Sequence, residues 1–142
     1  TCIDVHSKFL DNNYYDELLK STEVLNYISC RNLDDVFKER YPNLKEVYSF
    51  IIAPEMKFTS GYKGKKLFPD QFNEIRRWIT KVPVQGNLCL TGAGVVGKLF
   101  NIWFADRGGI AMDVGSIFDA WAGLATRGKN RGTDVIDEEN KL

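Results

Sequence analysis

Three glycines spaced Gly92-x-Gly94-x-x-Gly97 follow the apolar run Leu88–Leu90, and Asp113 stands twenty-one positions after the first of them. A glycine-rich turn between a strand and a helix turns backbone N–H groups toward an anion, with the positive end of the helix dipole behind them. Gly92 and Gly94 permit positive φ and close backbone approach, and Gly97 permits tight helix-to-strand packing. The same three residues could also do no more than shape a tight turn. Asp113 closes the next apolar run, where a carboxylate can accept hydrogen bonds from ribose hydroxyls. Glycines and acid together fit a dinucleotide such as NAD. Two features fit a nucleoside diphosphate equally well: the turn comes late in the chain, and Gly115 makes a second backbone turn just after the acid.

These residues need strands and helices to hold them. Apolar periodicity predicts a helix over Ser7–Ser21, with Phe9, Leu10, Tyr14 and Leu18 on one face. Val24–Cys30 reads as a strand. Asn32 is placed to cap a helix whose Leu33, Val36 and Phe37 share a face and whose Asp34 and Asp35 suit its positive end. Val47–Ala53 reads as a buried strand. After a break rich in lysine and glycine, Pro69 suits a first helical position, with Phe72, Ile75, Trp78 and Ile79 facing inward beyond it. Gly86–Thr91 is a third strand. Gly94–Asp106 is a helix expected to turn Val95, Leu99, Ile102 and Trp103 inward, and Gly108-Gly109 ends it. Ile110–Val114 is a fourth strand, Phe118–Gly123 a short helical turn, and residues 127–142 a polar tail. Alternating strands and helices predict an α/β fold: one Rossmann-like three-layer sandwich over 1–142, with a mostly parallel sheet of about four strands. Ligands in such sheets bind beyond the carboxyl ends of the strands. Four loops therefore carry the candidates, at Arg31-Asn32, Ala53–Lys57, Gly92–Gly94 and Asp113–Ser116.

Within those loops Lys57 fits the neutralising of a diphosphate, and Glu55 the accepting of a proton from an acceptor hydroxyl or the binding of a sugar hydroxyl, and both fit plain loop chemistry equally well. Lys63, Lys65 and Lys66 fit a basic lid over phosphates or a solvated loop. Lys98 lies one turn into the helix behind the glycines. Trp121 is expected to pack. His6 is the single histidine and reads as structural, and with no His/Cys ligand set zinc is not expected.

Nineteen basic and nineteen acidic residues cancel in 142, so no overall field draws nucleic acid. Cys2, Cys30 and Cys89 have no C-x-x-C spacing. Cys30 and Cys89 sit in apolar runs as small hydrophobes, which fits a reduced, cytoplasmic chain. No apolar stretch approaches the ~18 residues of a membrane span.

The run GAGVVGKLFNIWFADRGGIAMDVGSIFDAWAG, from Gly92 to Gly123, resembles the C-terminal half of bacterial glycosyltransferases with the D-type fold. Asp113-Val114-Gly115-Ser116, with Phe118, Asp119 and Trp121 behind it, is similar to that family's "aliphatic-D-I/V-G" segment. IAPEMKF (Ile52–Phe58) and HSKFLDNNYYDELL near the N-terminus add shorter similarities, and the likeness is strongest from Leu67 to Gly123. The resemblance implies a nucleotide-sugar donor and a glycan or glycoprotein acceptor, in the synthesis of surface polysaccharide or glycoprotein. The implied binding residues are Gly92, Ala93, Gly94, Lys57, Asp113, Gly115, Ser116 and Asp119, with Glu55 and Asp113 as catalytic candidates. The family also uses a D-x-E motif after an early strand to hold a divalent ion, Mn²⁺ or Mg²⁺. The one literal match, Asp137-Glu138-Glu139, lies in the polar tail and reads as a solvated run. Either the motif lies upstream of Thr1 or this homologue lacks it; a first residue other than Met favours an N-terminal truncation. On that expectation the chain alone binds a nucleotide sugar without transferring it. An NAD-dependent oxidoreductase and a non-catalytic nucleotide-binding module remain the alternatives.

Overall fold

The computed structural model describes residues 13–54 and 63–124. Four strands, Val24–Ser29 (β1), Glu46–Ile51 (β2), Leu88–Gly92 (β3) and Ile110–Asp113 (β4), form one all-parallel sheet in the order β2-β1-β3-β4. Parallel neighbours need crossovers, and helices supply them: Asp34–Arg40 (α2) between β1 and β2, Phe72–Ile79 (α3) between β2 and β3, and Gly97–Asp106 (α4) between β3 and β4. Tyr14–Lys20 (α1) precedes β1 and Ile117–Trp121 (α5) follows β4. The winding reverses after β2. One face of the sheet therefore carries α1, α2 and α5, around Tyr15, Tyr27, Phe37, Phe118 and Trp121. The other face carries α3 and α4, around Ile28, Ile75, Ile79, Phe100 and Phe104. This is the expected three-layer Rossmann-like α/β sandwich.

Several local expectations need correction. β2 is a half-buried edge strand, because among the described residues no strand pairs with its outer side. On α1, Tyr15 and Leu19 are buried while Tyr14 is exposed; residues Ser7–Asn12 of the predicted helix, with Phe9 and Leu10, lie outside the described residues. Asn32 serves the start of α2 from one position further out than a cap: its Oδ1 accepts the Asp34 N–H at 3.1 Å, and Leu33 is the capping residue. Pro69 takes the first helical position as expected: Phe68 before it is extended (φ −122°, ψ 132°), the Phe68–Pro69 peptide is cis, and from Pro69 the helical backbone runs on into α3. There Gln71 does work that its type did not announce. Its Oε1 accepts the Ala53 N–H at 2.7 Å and its Nε2 donates to the Ile51 carbonyl at 3.2 Å, which ties the end of β2 to the start of α3.

The largest correction falls on α4. Gly97, Phe100 and Phe104 face the sheet and Trp103 is half-buried. Val95, Leu99 and Ile102 point outward, 81%, 44% and 53% exposed. The segment is apolar on both sides, so periodicity alone offers two stripes. The two phenylalanine rings bury more area and take the core. Cys89 is buried as expected, while Cys30, one residue beyond β1, is exposed; burial pushes the Cys89 thiol up to about 11 against a weak opposing contact from Asn26.

Candidate functional site

β1 and β3 are the central pair, and the chain leaves them toward opposite faces, by α2 from β1 and by α4 from β3. Their carboxyl ends therefore frame the topological switch point where parallel sheets bind ligands. Ser29 is level with Gly92 across this pair, and Thr91 with Asp113 across the next, so the candidate turns share one edge of the sheet.

The glycines differ in what they do. Gly92 ends β3, and a Cβ built on it would fall 2.4 Å from Cδ2 of Phe118 and 3.1 Å from the Gly115 carbonyl oxygen. Its bare Cα is thus needed for packing against α5. Gly94 is exposed with φ +59°, a left-handed conformation that favours glycine, and it opens the short 3₁₀ turn Gly94–Val96 ahead of α4. The first N–H groups of such a helix have no acceptor within it. Ala93, half-buried, caps that turn. Gly97 is buried where α4 meets β3, and a Cβ there would lie 3.4 Å from Ala93 Cβ and 3.6 Å from Thr91 Oγ1, about ordinary contact, so the packing permits glycine without demanding it. Thr91, fully buried, donates to Asn101 Oδ1 at 2.8 Å and fixes α4 on β3.

Asp113 is half-buried at the end of β4, and its Oδ1 accepts the Gly115 N–H at 3.1 Å. That bond closes an Asx-type turn in which Gly115 takes φ +51°. Ser116, half-buried, caps α5 without a side-chain bond. Asp119 accepts from Arg31 Nε at 2.7 Å. Arg31 lies in the loop after β1, where the Ser29 hydroxyl oxygen accepts its N–H at 3.1 Å. The ion pair spans the strand ends from β1 to α5; at 36% and 21% side-chain exposure it contributes at most about 1 kcal/mol. Sequence reading marked the Arg31 loop but not this partner, which lies 88 residues away. Tyr15 was also missed. Its phenol is pushed up to about 12, first by burial and then by the charge of Asp113.

The structure thus brings Gly92, Asp113, Gly115 and Asp119 to one end of the sheet, with Ala93, Gly94 and Ser116 in the same turns. Lys98 is exposed on α4, Lys63 and Lys66 are exposed before α3, and Lys65 pairs with Glu74 at 2.5 Å. Glu55, Lys57, His6 and Asp137–Glu139 lie outside the described residues. Among the described residues no three of His, Cys, Asp and Glu converge as a metal-binding set. No described helix is long and apolar enough to cross a membrane.

Fold and strand-end turns together define a small Rossmann-like parallel α/β domain. Compared with known protein families, with curated proteins and with solved structures, the chain matches none.

Proposed function

We propose that the carboxyl edge of the sheet binds a nucleoside-diphosphate sugar, as the nucleotide-binding part of a cytoplasmic glycosyltransferase that builds surface polysaccharide or glycoprotein. One observation carries the reading: Gly94 and Gly115, both left-handed, form two backbone turns at the ends of adjacent parallel strands, and the first leads into the N-terminus of α4. Backbone N–H groups of the Gly94 turn take the diphosphate. The Asp113 oxygen not engaged with Gly115 takes ribose or sugar hydroxyls, with Ser116 and Asp119 beside it. Lys57 adds positive charge at the phosphates, and Glu55 takes a proton from the hydroxyl of the glycan or glycoprotein acceptor.

A second reading, NAD binding, draws on a different observation. The glycine strand β3 is central and the acid strand β4 is its direct neighbour, the arrangement of a dinucleotide fold. Calorimetric titration with UDP-glucose and with NAD separates the two. Binding of the nucleotide sugar and none of NAD is expected; tight NAD binding without response to any nucleotide sugar would sink the transferase reading. Gly94→Val should abolish binding in a chain that still folds, since a β-branched side chain blocks the phosphate approach and resists positive φ. Asp113→Asn keeps an acceptor for the Gly115 N–H and should weaken binding by ~1–3 kcal/mol.

A further inference from the structure

The zero net charge of the whole chain conceals a segregation across the sheet. The layer of α3 and α4, residues 63–81 and 94–107, holds eight basic side chains against three acidic. The opposite layer, residues 13–23, 30–41 and 116–124, holds four against seven. The basic layer also holds most of the exposed large apolar side chains among the described residues, Phe68, Val95, Leu99 and Ile102, against Tyr14 on the acidic layer. Phe68 is 65% exposed and its ring packs edge-on against Phe72 at 5.6 Å; Phe72 packs on Trp103 at 5.0 Å. Trp103 lies one turn from Leu99 on α4, and Leu99 one turn from both Val95 and Ile102. The result is one apolar band from the glycine turn down the outer face of α4. Its margins are basic. Lys63 and Lys66 lie just before Phe68, Lys98 flanks Leu99, and Arg76 sits over the Trp103 ring at 5.8 Å.

We infer that this face docks on an anionic phospholipid bilayer surface. An apolar band rimmed by Lys and Arg is the pattern of a chain that lies in the headgroup region without spanning it. Aromatic and aliphatic side chains enter the acyl boundary, and basic heads meet lipid phosphate, each worth a multiplicative gain in affinity. The acidic layer on the far side of the sheet is repelled by the same surface, which fixes the orientation. The carboxyl-edge turns then stand at the rim of the docked face, since Val95 belongs both to the band and to the glycine turn. The inference rests on surface charge and exposure and does not depend on the nucleotide reading.

Co-sedimentation of the full chain with vesicles tests it. Binding is expected to vesicles of equal parts phosphatidylglycerol and phosphatidylcholine, with little to phosphatidylcholine alone. Raising the salt should release it as the screening length shrinks from about 10 Å at 0.1 M to about 3 Å at 1 M. Lys63→Gln with Lys66→Gln, and separately Phe68→Ser with Leu99→Ser, should each lower partitioning roughly tenfold or more. All four side chains are exposed, and the wild-type salt and lipid comparisons stand whether or not the variants fold. No binding to the anionic vesicles, or equal binding to both kinds, overturns the inference. So does a lipid-free dimer by sedimentation velocity that Leu99→Asp dissolves, because the band is then covered by a second copy of the chain.

Discussion

Gly92→Ala is expected to lower the stability of the domain by roughly 1–3 kcal/mol or more, while Gly97→Ala, in the same motif, leaves it unchanged or slightly raised. The added methyl at position 92 meets Phe118 at 2.4 Å and 2.9 Å. That ring is 2% exposed and packs against Tyr27 at 5.7 Å and Trp121 at 5.6 Å, so it cannot swing aside without disturbing the aromatic core. On the other side the Gly115 carbonyl is backbone. A domain with the usual margin of about 5–15 kcal/mol would lose a large part of it. Gly97 has helical φ of −56° and room for a Cβ at about ordinary contact, so alanine there reduces only the freedom of the unfolded chain. Chemical denaturation of the two variants is the measurement. Adding Phe118→Leu to Gly92→Ala should recover part of the loss, an interaction a double-mutant cycle resolves. Equal effects at 92 and 97 would show that the clash is not what selects glycine.

Stability should also fall steeply in alkali, because three buried phenols are held protonated. Burial, first, and the Asp113 charge push Tyr15 from its ordinary value of 10.0 to about 12. Tyr27 is raised by burial and by donating to Asp34 at 2.6 Å; Tyr41 is raised by burial and by its bond to Asp16. The folded state therefore holds these protons more tightly than the unfolded chain. The stabilisation is fully present below pH 10 and is lost as pH rises through the folded values. At about 1.4 kcal/mol per unit, Tyr15 alone accounts for roughly 2–3 kcal/mol by pH 12. Tyr27 and Tyr41 deepen the loss, since each phenolate would face a carboxylate. Denaturant midpoints followed upward from pH 8, with tyrosinate absorbance as a second probe, read this directly. Tyr41→Phe should flatten the alkaline slope; Asp16 keeps Arg40, at 3.2 Å, as its partner. Stability constant to pH 12 would contradict the assignment.

How far the sequence could be read depended on how local each signal was. Strands and helices followed from short-range periodicity, and so did the carboxyl-end loops, because parallel connectivity forces turns to alternate ends. Sheet order was not readable, since the β1–β3 pairing joins segments far apart in the chain. The α4 error had a specific cause. Leu99 and Ile102 compete with Phe100 and Phe104 for the core, and only ring size against available space decides between them. The glycine motif looked uniform in sequence and is not: packing constrains Gly92, dihedral angle constrains Gly94, and Gly97 is only mildly confined. Asp119 was marked for a sugar, but its partner Arg31 became visible only once β1 and α5 were side by side.

Register has a consequence for the switch point. Val24 pairs with Glu46 and Leu88 with Ile110, each twenty-two residues further along, whereas Leu25 pairs with Leu88 across sixty-three. The molecule is two βαβ units of equal span, joined by one longer closure that costs only about 1 kcal/mol more in chain entropy. The switch point lies on that join. Neither unit holds it alone, so any opening along the β1–β3 seam erases the switch point while leaving every strand pair within the two units intact.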